Sequence, residues 1–558
     1  MSILNWLFKK KKPEPLKKEW VSFEDIPAEE KPKSLRTKFV LNEETFKEFS
    51  LSLRKHQKGS IEELLKVYIG QCNLPTGTGK TYDQKYIHIK DMIEKTKNGE
   101  IGIYLTAAHR LTLCTQLFNE IIDLLIRCGL KADMIYVGSE RYNFNNIAYK
   151  YRHTGFVISN IDGEQTTSSK SIEKAVTRAK NKGHHTIIIS TYHSLYRLAG
   201  LEKINIATFD ESHTTTADKF RDNIQSIKPI TERQYFFTAT RRVIGEDGGQ
   251  NDFDFYGPVV YEMSPKEAIE AGEIVRPFIH TVLIDEEVKD FDSIKSGQTI
   301  KTVKEAFIKH KEKIKSDSYA PEKIGGKLLV TVNGLKELHT IHGDNEFQEW
   351  CKSNAIQTFA FSSDEGEFIN FEKSNRQKAL EAMNEIKESE DAILFHYDIL
   401  TEGIDLPSIT GVLLLRDLPL IKLLQNIGRG ARLIKEDRMR LYSGEIKLYE
   451  YKKMIKPYCL IVIPHYPKID FVRMKNIIKN LRETYNIPLE RTVKLDVALA
   501  DKEDFVPLVA EKDKDDLGKQ YSIDHLFENI IMEELVQNFW DMDNKVEFMA
   551  DKIQKISE

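Results

Sequence analysis

Cysteine is scarce in this 558-residue chain, and the five present, Cys72, Cys114, Cys128, Cys351 and Cys459, form no C-x-x-C pair. That scatter excludes a zinc ribbon and a disulfide framework, and it suits a reducing, cytoplasmic setting. No stretch holds the 18 or so consecutive apolar residues that a membrane span needs, so no integral membrane segment is expected. Charge of one sign is also lacking, since 82 Lys and Arg against 86 Asp and Glu leave a net charge of −4. Bulk charge therefore cannot hold nucleic acid; a local basic surface would have to. No repeat recurs at a period of about 20 to 50 residues, which excludes solenoids and propellers. What remains, 41% hydrophobic and 30% charged residues, is a globular composition and not a disordered or collagen-like one. At about 150 residues per domain, the length suits three to four domains.

The N-terminal stretch Ile3–Phe8 is apolar and precedes Lys9–Lys12. A secretory signal has the opposite order and a longer apolar core, so a solvated basic tail is expected here, with a weak interfacial anchor through Trp6, Phe8 and the Lys run as the alternative. Residues 1–48 read as a polar extension. From about Leu51, strand and helix signals alternate. Candidate strands are Ile101–Thr106, Thr186–Thr191, Ile204–Asp210 and Tyr235–Ala239. They are continuous apolar runs, as strands covered on both faces require. A second alternating block starts after Pro277, with strands expected at Thr281–Ile284, Lys327–Val332, Thr358–Phe361, Ala392–His396, Gly411–Leu415 and Tyr458–Ile463. The expected division is a first α/β domain over 49–264, a linker over 265–280, a second α/β domain over 281–468 and a mainly helical appendage over 469–558. The appendage carries no readable motif and is a candidate surface for a protein partner.

The strongest local signal is Leu74-Pro75-Thr76-Gly77-Thr78-Gly79-Lys80-Thr81. Glycines let successive backbone N–H groups turn toward an anion. A Lys serves the β- and γ-phosphates, and a hydroxyl serves Mg²⁺. The strict pattern has Gly where Leu74 stands, which leaves the chemistry in place. A helix over Tyr82–Lys95 would set its positive end at the phosphates. Ile204–Phe209 runs into Asp210-Glu211-Ser212-His213. A carboxylate at the end of a buried strand can hold Mg²⁺ opposite the loop hydroxyl, and the adjacent Glu can deprotonate water.

Together these motifs resemble the superfamily 2 helicases and translocases, of DEAD/DEAH-box-like type, and further segments follow in that family's order. Leu53-Arg54-Lys55-His56-Gln57 resembles the adenine-reading segment, with Gln57 at the base. Thr106-Ala107-Ala108-His109-Arg110 and Ser190-Thr191-Tyr192-His193-Ser194-Leu195 resemble the nucleic-acid-contacting motifs. Thr238-Ala239-Thr240 resembles the motif that couples hydrolysis to strand movement, and His213 is expected to link to it through Thr238 or Thr240. Thr401-Glu402-Gly403-Ile404-Asp405 and Gln425-Asn426-Ile427-Gly428-Arg429-Gly430-Ala431-Arg432 resemble the fifth and sixth motifs. The resemblance covers about 51–435. Its flavour is that of restriction-enzyme motor subunits, and the first nucleic-acid motif lacks the Pro-Thr-Arg-Glu of DEAD-box RNA helicases.

The resemblance implies two tandem RecA-like doubly wound parallel-sheet domains that bind ATP between them. Gln57, Thr76, Gly77, Thr78, Gly79, Lys80, Thr81 and Asp405 would bind the nucleotide, and Thr81 and Asp210 would hold Mg²⁺. Lys80, Asp210, Glu211, Gln425, Arg429 and Arg432 would be catalytic, the last two as arginine fingers in cis. His109, Arg110, Thr191, His193, His213, Thr238, Thr240 and Thr401 would contact nucleic acid or couple it to ATP. DNA is favoured over RNA; an RNA helicase and a non-unwinding ATP-gated clamp are the alternatives. Arg141-Tyr142-Asn143-Phe144 and Tyr149-Lys150-Tyr151-Arg152, in a segment read as an insertion over 140–182, interleave bases and aromatics as a stacking surface would. The same aromatics alternatively pack that segment onto its own domain.

Overall fold

The computed structural model describes residues 41–109, 111–138, 161–283, 296–316, 323–332, 334–362, 366–397, 408–415, 418, 420–447, 450 and 453–465. The N-terminal tail, Arg110, the aromatic segment Arg141–Arg152, Thr401, Asp405 and the expected appendage over 469–558 lie outside the described residues. The chain divides into two units, Met1–Met263 and Ser264–Glu558.

The first unit is built on one eight-stranded sheet. Its strands are β1 (Ile69–Asn73), β2 (Ile103–Ala108), β3 (Ala132–Val137), β4 (Ile161–Gln165), β5 (His185–Thr191), β6 (Ile204–Phe209) and β7 (Thr231–Thr238). A small hairpin of β8 (Val243–Ile244) and β9 (Gly248–Gly249) then leads to β10 (Val259–Glu262). The order is β10-β1-β7-β6-β2-β5-β3-β4, and every pairing is parallel. Parallel strands need crossovers, and helices supply most of them: α1 (Glu43–Ser52) and α2 (Lys55–Leu65) precede β1, and α3 (Lys80–Lys97), α4 (Leu111–Cys128), α5 (Ser169–Lys182) and α6 (Asp218–Ile227) follow. The apolar runs serve two cores at once. In β2, Tyr104 and Ala108 join one core with Ile87, Met92 and Leu124, whereas Leu105 and Ala107 join another with Tyr192, Phe209 and Phe236. Alternate side chains point to opposite faces, so a strand buried on both sides must be apolar throughout.

Four strands of this sheet, β1, β3, β4 and β10, have no counterpart among the expected strands. β3 is entirely buried between β5 and β4. β4 and α5 occupy the second half of the segment read as an insertion, 140–182. Both belong to the domain itself: β4 pairs along β3 in the sheet, and α5 buries Ile172, Ala175 and Ala179. Polar residues in Ile161–Gln165 hide the strand because it lies at the sheet's edge.

The second unit also holds an eight-stranded sheet, of β11 (Arg276–Leu283), β12 (Lys327–Thr331), β13 (Ile356–Ser362), β14 (Gly366–Ile369), β15 (Glu372–Ser374), β16 (Asp391–His396), β17 (Gly411–Leu414) and β18 (Tyr458–His465). The order is β11-β18-β17-β12-β16-β13-β14-β15. It is parallel except for an antiparallel edge, where β14 pairs with β13 and β15 with β14. The first strand starts earlier than its sequence suggests and runs through Pro277. β11 is an edge strand, where a missing backbone N–H is tolerated. The α/β architecture with two tandem RecA-like sheets stands as expected. No described helix is long and apolar enough to cross a membrane.

Candidate active site

The strand order decides which motifs meet. β1, β7 and β6 are neighbours, with Asn73 opposite Thr238 and Phe209 opposite Phe236. The phosphate-loop sequence, Thr238–Thr240 and Asp210–His213 therefore leave one sheet edge side by side. This is the carboxyl edge, where ligands of open α/β sheets bind. β2 and β5 continue the row and deliver His109 and Thr191 to the same edge, farther along.

The loop closes as its glycines allow. Gly77 and Gly79 have φ of 91° and 89°, and Gly79 caps α3. The Leu74 N–H donates to the Thr238 carbonyl at 3.0 Å, tying the loop to β7. Thr78 is buried, and its hydroxyl donates to the Pro75 carbonyl at 2.7 Å. Lys80 Nζ donates to the Leu74 carbonyl at 3.1 Å, across the loop mouth. Thr76 and Thr81 are half-buried.

α2 lies against this loop. Gln57 Nε2 donates to the Gly79 carbonyl at 3.1 Å, Gln57 Oε1 accepts from the Arg54 N–H at 2.9 Å, and His56 Nε2 lies 2.9 Å from the Thr78 carbonyl. Both ends of the Gln57 amide are thus engaged with the protein. A Cβ on Gly79 would come within 2.6 Å of Gln57 Nε2.

Asp210 follows β6 and is buried. Its Oδ1 accepts from Gln84 Nε2 at 2.9 Å, and its carbonyl accepts from Tyr192 Oη at 2.6 Å. Gln84 stands one turn after Lys80 on α3, so the acidic box and the loop helix are joined directly. Burial, and then the negative Glu211 beside it, push the Asp210 carboxyl up to about 7, against the pull of Lys80 and Gln84. Glu211 adopts a left-handed backbone, φ 50° and ψ 47°, at a non-glycine position. Such strain persists only where the surroundings impose it, and it clusters at functional sites. Glu211 Oε2 is buried with no hydrogen-bond partner among the described residues, 3.5 Å from His213 Nδ1. His213 Nδ1 is 3.0 Å from Thr238 Oγ1, and Thr238 Oγ1 donates to the Thr240 carbonyl at 3.0 Å. The expected link from His213 to the Thr238–Thr240 segment is therefore present.

Along the same edge, Thr191 is buried and donates through Oγ1 to Ser194 Oγ at 3.3 Å, while His193 is exposed with its ring edge-on to Phe220. His109 is half-buried.

In the second unit, Gln425 and Arg429 stand one turn apart on the helix Leu420–Gly430, and both are buried. Arg432 bridges Ile274, and the Ala431 carbonyl accepts from the Val275 N–H at 2.8 Å. Lys456 Nζ, fully buried, donates to the carbonyls of Gly430 and Arg432 at 2.5 and 2.8 Å. Asp437 in turn accepts from the N–H groups of Ile455 and Lys456. Sequence reading missed Gln84, Tyr192 and Lys456. The one available signal was polar residues, such as Asp83, Gln84 and Lys85, inside an otherwise buried helix stretch.

Residues 50–242 match the family model described as type III restriction enzyme, res subunit. No curated protein matches the chain. Among solved structures, the fold is similar to the ATP-dependent type ISP restriction-modification enzyme LlaBIII bound to DNA, with 17% identity and a TM-score of 0.52 over 77% of this chain and 29% of that one. A putative HsdR subunit fragment of a type I restriction enzyme from Vibrio vulnificus YJ016 matches with 18% identity and a TM-score of 0.45 over 74% of this chain and 64% of that one. Mss116p bound to single-stranded RNA and AMP-PNP matches with 13% identity and a TM-score of 0.48, over 82% of this chain and 80% of that one. The chain thus spans less than a third of the first of these enzymes and under two thirds of the second. The family match thus concerns residues 50–242, and the likeness to LlaBIII is one of fold.

Proposed function

We propose that the protein is an ATP-driven motor on nucleic acid, a helicase or translocase acting on DNA. The observation that carries this reading is the hydrogen bond from Gln84 to Asp210, which sets the acidic box beside the phosphate-loop helix. The N–H groups of the loop and the positive end of α3 receive the phosphates, and Lys80 moves from the Leu74 carbonyl to the β- and γ-phosphates. Thr81 and Asp210 fit a magnesium ion. Asp210 is a buried carboxylate, and among the described residues no group of three His, Cys, Asp or Glu forms a metal cluster. Magnesium suits such a site, because it takes one or two carboxylates and completes its shell with phosphates and waters. Thr81 and Asp210 would hold the ion, which would supply positive charge against the phosphates.

Glu211, whose Oε2 is buried 3.5 Å from His213 Nδ1, orients the attacking water and accepts its proton. Gln425, Arg429 and Arg432 of the second unit supply the residues that the resemblance assigns to the γ-phosphate; an arginine in that role is worth on the order of 10³–10⁵ in rate. Asp405 joins the nucleotide contacts. His109, Arg110, Thr191, His193 and Thr401 contact the strand, and His213, Thr238 and Thr240 couple it to hydrolysis. The first nucleic-acid motif supports DNA over RNA. Contacts to phosphates make affinity fall steeply with salt and leave little sequence preference.

Steady-state ATPase, alone and with single-stranded DNA, duplex DNA or RNA, tests the proposal, with Lys80→Ala as the blank. Strong stimulation by DNA that Lys80→Ala abolishes is the expected result. Slow turnover that no nucleic acid alters would refute the motor and favour an ATP-gated clamp.

A further inference from the structure

The acidic box has a second buried side-chain partner besides Gln84. The acidic box carries Ser212 at its third position, and Ser212 Oγ accepts from Gln250 Nε2 at 3.0 Å. Gln250 lies just after the β8–β9 hairpin and is wholly buried. Its other side-chain end, Oε1, accepts from the Arg242 N–H at 2.9 Å, and its own N–H donates to the Arg242 carbonyl at 2.8 Å. Its carbonyl accepts twice, from Arg241 Nη2 at 2.8 Å and from Gln71 Nε2 at 2.9 Å. Gln71 sits on β1, three residues before the phosphate loop begins, and it also donates to the Gly257 carbonyl at 2.8 Å.

A single buried residue therefore fastens three segments: the strand that feeds the loop, the acidic box beside Glu211, and Arg241–Arg242, which directly follow Thr238-Ala239-Thr240. Beyond Arg242 the hairpin is open to solvent, with Val243 and Ile244 about half exposed. Burying a glutamine amide costs free energy unless both ends are bonded, so every bond of this set matters to its placement.

We propose that Gln250 is a positioning residue that transmits movement of the Arg241–Ile244 arm to the acidic box through Ser212. The role rests on the ATPase reading above. When the arm shifts, the Gln250 amide shifts with it, and the Ser212 backbone, one residue from Glu211, follows. Ser212→Ala removes only the hydroxyl and leaves the fold intact. Gln250→Met keeps length and bulk while removing both side-chain bonds.

The test is a double-mutant cycle on DNA-stimulated kcat, with the ATP dissociation constant measured alongside. Ser212→Ala is expected to lower stimulated kcat about fivefold, the scale of one hydrogen bond, with ATP affinity unchanged. In the Gln250→Met background the same substitution is expected to have no effect. Equal effects of Ser212→Ala in both backgrounds, or an unchanged kcat in Ser212→Ala, would overturn the inference while leaving the motor in place. Absence of ATP turnover in the wild type would overturn the proposed function and this role with it.

Discussion

Asp210→Asn separates the cost of the buried carboxylate from its use. The carboxyl is pushed up to about 7, chiefly by burial, from an ordinary value of 3.8. Between those values the folded chain binds a proton that the unfolded chain does not. Stability without ligand therefore falls as pH rises from about 4 to 7, and it stays low above pH 7. From pH 5 to pH 7 the loss covers two pH units at about 1.4 kcal/mol each, or on the order of 3 kcal/mol. Asparagine carries no charge at either pH and can still accept from Gln84. The stability gained by Asp210→Asn should thus be about 3 kcal/mol larger at pH 8 than at pH 5. For a domain of this size that is about 6–12 °C in thermal midpoint. The assay is thermal unfolding of both proteins at pH 5 and pH 8, without nucleotide and in a chelator. An equal effect at the two pH values, or a variant less stable at pH 8, would refute the argument. The same variant should lose ATP hydrolysis, so that stability and function trade against each other at this residue.

Gly79→Ala forces a left-handed residue and brings its Cβ to 2.6 Å from Gln57 Nε2. It is expected to cost about 1–3 kcal/mol and to abolish binding of a fluorescent ATP analogue; retained binding would count against the loop geometry. Gly430→Ala places a Cβ 2.3 Å from Cys459 Sγ in the second unit. It should lower the thermal midpoint, and Cys459→Ala in the same chain should restore part of the loss; a double variant no better than the single would show that the contact is not the cause. Tyr192→Phe removes the 2.6 Å bond to the Asp210 carbonyl. It should destabilise the first unit by about 1–2 kcal/mol, measured by denaturant unfolding, and a neutral effect would deny that bond its role.

Most central strands were legible because they are covered on both faces, although β1 and β3, flanked on both sides, were not among those expected. β5, β6 and β16 each carry a buried apolar run and sit within one residue of their expected ends. β4, β14 and β15 were not legible, because strands at or next to a sheet edge bury less and here carry Glu, Gln, Lys and Ser. The stretch 161–182 looked like an insertion for the same reason, and its pairing with β3 also means that deleting 140–182 would break the sheet before it tested strand binding. The loop Leu74–Thr81 and the acidic box were legible because phosphate and metal chemistry restrict the residue types within a few positions. Gln84, Tyr192 and Gln250 were not, since nothing local marks a polar side chain as the partner of a carboxylate 126 residues away or of a serine 38 residues away.

The sequence by itself determined the α/β class, the order of the motifs and the residue types at the candidate site, because these rest on local periodicity and on short-range chemistry. Only the tertiary structure decided that β1, β7 and β6 stand side by side, that Gln84 reaches Asp210, and that Gln250 ties Ser212 to the arm after Thr240. Those are outcomes of strand order, and a parallel sheet sets strand order through crossovers whose pairing no local pattern encodes.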